Sequence, residues 1–181
     1  MPMDKSIYPD RSEMIFTSSH MSSQKPLSAI HKPGNQALRR GRVSLPNHVY
    51  LITTATLDRQ RFFEDFAAAW VAARCFSDSD ILGDACLLAW VLMPDHVHWL
   101  LQLGGVDGLD LVVNRLKSAS ARKANKVLDR AGALWQTAYH DRALRAEEDL
   151  REVARYLVAN PMRAGLVKQL GDYPFWNAMW L

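Results

Sequence analysis

The chain switches between two hydrophobic rhythms, one of period two and one of period three to four. The switches mark its elements. Residues 48–56 are β-branched and aromatic and predict a first strand. Asp58 to Arg61 are polar and predict a turn. Residues 62–76 are alanine-rich, with Phe63, Phe66, Ala67, Trp70 and Val71 spaced by three and four, which predicts a helix laid on a sheet. Gly83 breaks the chain. Residues 85–93 are almost continuously apolar and predict a central strand. Pro94 and Asp95 turn the chain back into a strand over 96–103, closing a hairpin.

Gly104 to Gly108 form a loop. Residues 109–128 then predict a long amphipathic helix, with Leu109, Val112, Val113, Leu116, Ala119 and Ala124 on one side. An aromatic and polar stretch over 134–144 reads as the last strand. Glu147, Glu148 and Asp149 supply negative charge where a helix dipole favours it, at the start of a final helix running to about Ala159. Pro161 is expected to stop that helix, because the residue before proline avoids helical angles. The order β-α-β-β-α-β-α is that of a split βαβ fold. It predicts an α+β, ferredoxin-like antiparallel sheet with helices on one face and the final helix added near the strand ends.

Composition changes this picture at the N-terminus. Residues 1–35 are rich in Ser, Met, Pro and Lys without periodicity and read as a disordered tail, leaving 36–181 as one domain. The hydrophobic fraction of 49% is ample for a core. The net charge is only +3, yet the positive charge is clustered. Arg39, Arg40 and Arg42 precede the first strand, and Arg115, Lys117, Arg122, Lys123 and Lys126 crowd the polar side of the long helix. Either cluster is a solvated face or a nucleic-acid contact.

Other signals exclude. Cys75 and Cys86 lie in separate elements without a CxxC pair, which suits a reducing cytoplasm. No apolar run reaches the ~18 residues of a membrane span. No charged n-region with an apolar h-region suggests secretion. No GxxxxGK[ST] motif suggests a nucleotide cofactor.

Two stretches carry candidate chemistry. In His96-Val97-His98 the histidines are two apart, so on a strand both face one way while Val97 faces the other. Two imidazoles on one face bind a metal, grip an anion or simply line a half-exposed strand. Zinc usually takes three or four protein ligands, often thiolates, and neither cysteine sits near. Two imidazoles with an oxygen donor suit Mg²⁺ or Mn²⁺, which keep positions open for water and phosphate. Asn160 is a candidate for that oxygen. Tyr156 stands one helical turn before it, on the same face. Tyr156 is then a candidate nucleophile towards a phosphate, or else a helix aromatic packed on the sheet, and Asn160 a ligand or a helix C-cap. Tyr50, Tyr139 and Tyr173 compete for this role, but none has a suitable Asn or Gln one turn on.

Several stretches together resemble the REP-associated tyrosine transposases, relatives of the single-tyrosine HUH transposases of bacterial insertion sequences. They are Arg39-Arg40-Gly41-Arg42, Leu45-Pro46-Asn47-His48-Val49-Tyr50, Met93-Pro94-Asp95-His96-Val97-His98, Leu134-Trp135-Gln136, His140-Asp141-Arg142-Ala143-Leu144-Arg145 and the run from Ala154 to Val167 containing Tyr156, Asn160 and Pro161. The resemblance covers about residues 38–177. It implies that Tyr156 is the nucleophile and that His96, His98 and Asn160 hold a divalent metal. It implies cleavage and strand transfer of single-stranded DNA beside palindromic hairpins through a 5′-phosphotyrosine, by a monomer or a homodimer. It also implies base recognition by Arg39, Arg40 and Arg42.

Three rivals follow from the same residues. A non-catalytic hairpin DNA- or RNA-binding protein would use the sheet as a stacking platform, but the central strands lack the aromatic pattern such platforms carry. A small zinc enzyme would retain stoichiometric zinc. A relaxase or replication initiator shares the paired histidines but usually places its tyrosines differently and carries further domains.

Overall fold

Five strands make one antiparallel sheet in the order β4-β1-β3-β2-β5. The computed structural model describes residues 44–145 and 148–181. The expected tail over 1–35, the cluster Arg39, Arg40 and Arg42, and Glu147 lie outside the described residues. The strands are β1 (Val49–Ala55), β2 (Cys86–Met93), β3 (His96–Gln102), β4 (His140–Ala143) and β5 (Trp176–Ala178). The helices are α1 (Phe66–Arg74), α2 (Ser79–Leu82), α3 (Leu109–Val127), α4 (Leu150–Val158) and α5 (Asn160–Arg163). The first four strands follow the ferredoxin-like order that the pattern predicts. β5 is an addition at the β2 edge, with Val91 facing Trp176 and Ala89 facing Ala178. Its three residues are too few to show an alternation, so the stretch over 134–144 reads as the last strand although β5 comes after it.

The β2–β3 hairpin is the spine. Trp90 pairs with Trp99, Val91 with His98 and Met93 with His96 across the Pro94-Asp95 turn. One face of the sheet carries Ile52, Leu92, Val97 and Trp99, all fully buried. Phe76 meets Trp90 and Trp99 edge-on there, at 5.2 and 5.3 Å between ring centroids. Trp135 lies 6.5 Å from Trp99 and donates its indole N–H to Ser120 Oγ on α3 at 3.0 Å. This face therefore lies against α1 and α3. The opposite face carries His96, His98 and Leu100, and α4 covers its β2–β5 side with Ala154, Leu157 and Val158 buried.

The first helix departs from expectation in start and face. Asp65 caps it by accepting from the Ala68 amide at 2.8 Å, so the α-helix begins at Phe66, and Phe62–Glu64 is a separate 3-10 turn. Its buried side is Ala68, Ala69, Ala72 and Ala73, which lets the backbone close on α3. Phe66 instead points outward, against Phe175 at 5.1 Å.

α3 buries the apolar side predicted for it, and one of its lysines as well. Lys117 is only 9% exposed and donates to the carbonyls of Gln136 and Thr137 at 2.7 and 3.0 Å. It was expected on a nucleic-acid face, but its charge is engaged inside the fold, where it ties the stretch before β4 to α3. Arg115 is likewise turned to protein, bonding Asp107 and the Leu82 carbonyl. Arg122, Lys123 and Lys126 are exposed. No described helix is long and apolar enough to cross a membrane. Replacing Lys117 with Ala strips two carbonyls of their partner. Urea unfolding should register a loss of about 1–3 kcal/mol, whereas Lys126→Ala should change stability by less than about 0.5 kcal/mol.

Candidate functional site

The two histidine rings sit side by side on β3, centroids 4.8 Å apart and nearly perpendicular. Alternation puts them there, since Val97 between them is fully buried on the other face. Each ring is held from behind through Nδ1. Asp95, in the hairpin turn, lies 2.6 Å from His96 Nδ1. Thr53, directly across on β1, places its hydroxyl 2.8 Å from His98 Nδ1. Both Nε2 atoms are left to face outward from these anchors, the arrangement in which a supporting partner orients an imidazole for a ligand.

Burial sets the charge of the site. His98 is pushed down to about 3, first by burial, then by the charges of His96, Arg163 and Arg59, with Asp95 opposing. Burial also lowers His96, against the pull of the Asp95 carboxylate. Burial raises Asp95, but the bond to His96 and the charges of His96 and Arg59 outweigh it and leave it below the usual carboxylate range. Arg59 Nη1 is 3.2 Å from the second Asp95 oxygen. At neutral pH both imidazoles are therefore uncharged and keep a lone pair to offer.

The second half of the site comes from the α4–α5 junction. Asp149 caps α4, accepting from the Arg151 amide at 2.8 Å. Ala159 ends that helix, but Pro161 does not end helicity. Asn160 and Pro161 open α5, a single further turn, where a proline is tolerated because its missing N–H has no partner to lose. Asn160 is thus the first residue of a turn rather than a C-cap. Its amide N–H donates to the Leu157 carbonyl at 2.8 Å, and its Oδ1 accepts from Arg163 Nη2 at 2.6 Å. The Arg163 guanidinium also lies over the Tyr156 ring, 3.8 Å from its centroid. Arg163, felt electrostatically at His98 and bonded to Asn160, brings the two halves together.

Tyr156 stands apart from the other described tyrosines. It is 44% exposed, on the open side of α4. Tyr50 is buried and accepts from the Leu45 amide at 3.0 Å. Tyr173 is buried and donates to the Leu92 carbonyl at 2.6 Å. Tyr139 is half-buried beside Lys117.

A family model described as "Transposase IS200 like" matches residues 45–160. The chain belongs to this family. It is 34% identical over 92 residues to a REP-associated tyrosine transposase of Escherichia coli K12, covering 48% of this chain and 50% of that protein. It is 26% identical over 98 residues to a putative REP-associated tyrosine transposase of Haemophilus influenzae, covering 49% of this chain and 56% of that one. The chain spans about half the length of these curated relatives. The fold is also that of a solved REP-associated tyrosine transposase bound to a REP hairpin, with a TM-score of 0.58 at 21% identity over 75% of this chain and 79% of that one.

The IS200-like match spans both halves of the site, from β1 to Asn160. Thr53, Asp95, Arg59 and Arg163 join the site without having been singled out in the sequence. Asp95 reads there as a turn residue, and Thr53 becomes its partner only once the β1–β3 register is known.

Titration marks the Tyr173 hydroxyl. Burial raises the Tyr173 hydroxyl to about 12, from an ordinary value near 10. A phenol raised on folding favours the protonated form, so its contribution to stability is complete below the unfolded value and is lost as pH climbs through the folded one. Ultraviolet titration of the native protein should include a phenolate step near pH 12, and Tyr173→Phe should remove that step.

Proposed function

We propose that this IS200-like chain is a single-stranded DNA endonuclease and strand transferase that uses a divalent metal and acts beside palindromic hairpins, with Tyr156 as nucleophile. What supports it most is the pair of neutral imidazoles side by side on β3 and the exposed tyrosine beside an oriented amide oxygen on α4 and α5, linked through Arg163. Among the described residues no three His, Cys, Asp or Glu side chains gather to hold a metal. A donor set of His96 Nε2, His98 Nε2 and Asn160 Oδ1 therefore leans on an amide for its oxygen. That set fits Mg²⁺ or Mn²⁺, which accept mixed nitrogen and oxygen ligands and retain water. A divalent ion bound there supplies positive charge to the nonbridging oxygens of a phosphodiester.

The protein's own residues do the rest. Asp95 and Thr53 fix the imidazole orientations through Nδ1. α4 and α5 hold Tyr156 at the rim, where its hydroxyl oxygen attacks phosphorus. The Tyr156 O–P bond forms as the P–O3′ bond breaks. The phenolic proton passes through solvent to the departing 3′ oxygen, leaving a 5′-phosphotyrosine and a 3′-hydroxyl. The tyrosyl ester keeps the energy of the broken bond, so attack by a 3′-hydroxyl rejoins DNA without a nucleotide cofactor. α3 sits on the opposite face of the sheet from the histidines. Arg122, Lys123 and Lys126 are therefore suited to a duplex stem rather than to the strand being cut, while Arg39, Arg40 and Arg42 are assigned base recognition near the hairpin foot.

The deciding assay runs 3′-end-labelled single-stranded hairpin DNA from the flanks of the gene on a denaturing gel after incubation with Mg²⁺ or Mn²⁺, so that the label stays on the fragment joined to the protein through its 5′ phosphate. A covalent protein–DNA band should form, and Tyr156→Phe should abolish it while leaving hairpin binding within about twofold, because only the transition-state interaction is lost. Hairpin binding without any covalent product in the unaltered protein would replace this reading with that of a non-catalytic hairpin-binding protein. Thr53→Val, which removes the hydroxyl behind His98, should weaken Mn²⁺ binding by about 10–100-fold in calorimetry without unfolding the chain.

A further inference from the structure

Arg163 has no role in the reaction as written, yet it meets the site at three points. Its guanidinium lies 3.8 Å over the Tyr156 ring. Its Nη2 donates to Asn160 Oδ1 at 2.6 Å. Its charge reaches His98. The helical turn opened by Asn160 and Pro161 makes this possible, by carrying the chain on in helical form after Ala159 so that residues 156, 160 and 163 share one side.

The amide of Asn160 cannot serve Arg163 by its other end. Its N–H is committed to the Leu157 carbonyl, so the oxygen is the end presented to the guanidinium. That same oxygen is the one a divalent ion would need. Two cations within about 5 Å in a half-buried setting repel strongly, so Arg163 and a metal ion compete for Asn160. A guanidinium has a better partner when DNA is present, since its planar fork matches two oxygens of a phosphate. Arg163 is exposed and anchored by its stack on the tyrosine ring, so it can redirect its donors without leaving the site.

We propose that Arg163 is a positioning residue that exchanges Asn160 Oδ1 for a DNA phosphate, so that single-stranded DNA and a divalent cation bind this site cooperatively. The exchange rests on the assignment of His96, His98 and Asn160 as metal ligands. It delivers the phosphate to the face of Tyr156 in the same movement that frees the amide oxygen. Coupling of this kind is reciprocal: DNA tightens the metal, and the metal tightens DNA by the same factor. It also leaves the site poorly charged with metal until a strand is present.

The test measures Mn²⁺ affinity by electron paramagnetic resonance of the free ion, with and without saturating oligothymidylate, in protein carrying Tyr156→Phe so that the ring remains and no cleavage occurs. A further His96→Ala substitution corrects for Mn²⁺ held by the DNA itself. DNA should tighten Mn²⁺ by about 10-fold, within the usual range of coupling between sites. Adding Arg163→Met should tighten Mn²⁺ without DNA by a similar factor and erase most of the DNA effect. A merely structural Arg163 would instead weaken the metal when replaced. The proposal is overturned if Arg163→Met leaves DNA-free affinity unchanged or weaker, or if the DNA effect survives it. Mn²⁺ binding indifferent to His96→Ala would overturn the ligand assignment itself, and the exchange with it.

Discussion

The pairing of β2 with β3 is the constraint on which the site depends. Val97 and Trp99 are fully buried on the face that meets α1 and α3. A strand has a period of two, so burying these residues commits His96 and His98 to the opposite face. A slip of one residue would bury both histidines and expose two large apolar side chains. The core around Trp90, Trp99, Phe76 and Trp135 thus does more than stabilise the fold. It fixes the direction of two imidazoles, and the β1 register then delivers Thr53 to the back of one of them.

The other half of the site is packed on one side only, and for a physical reason. α4 is anchored by Ala154, Leu157 and Val158, all buried, but Tyr156 and Arg163 stand on its open side and on the turn beyond. The order of contacts follows from chain geometry. A straight continuation of α4 would require an amide hydrogen bond at residue 161, which proline cannot make. Ending α4 at Val158 and starting again at Asn160 satisfies that limit and keeps the spiral that lines up residues 156, 160 and 163. The result is a pair of histidines anchored through Nδ1, with a tyrosine and an arginine carried on a short helical junction.

How far the sequence reveals this depends on the range of the interaction. Local periodicity is legible: the four strands of the ferredoxin-like order, the apolar side of α3 and the shared face of His96 and His98 all follow from spacings of two, three and four. What is set by contact between distant elements is not. The buried side of α1 is an alanine face chosen by the approach of α3, while its larger apolar residues suggest a different side. Lys117 looks like one more cation on a basic helix until the carbonyls of Gln136 and Thr137 fold over it. β5 is only three residues long and exists because β2 offers an edge. In the site, Tyr156 and Asn160 are legible as a pair one turn apart, and Asp95 and Thr53 are legible as partners only through the hairpin turn and the β1–β3 register.

The electrostatics join these observations. Half-buried histidines that remain neutral give a site with lone pairs and little charge of its own, and Asp95 is already matched by His96 and Arg59. A positive charge beside the tyrosine comes from Arg163, exposed and stacked on the ring. Under the exchange proposed for Arg163, such a site would attract neither ion strongly when empty of the other. A cation would meet a guanidinium at the amide oxygen, and a phosphate would meet two uncharged rings. With both present, the phosphate would take the guanidinium and the metal the freed oxygen and the imidazoles. For the reaction proposed here, such mutual dependence confines metal loading to the moment a strand lies against Tyr156, which is when the hydroxyl has a phosphorus to attack.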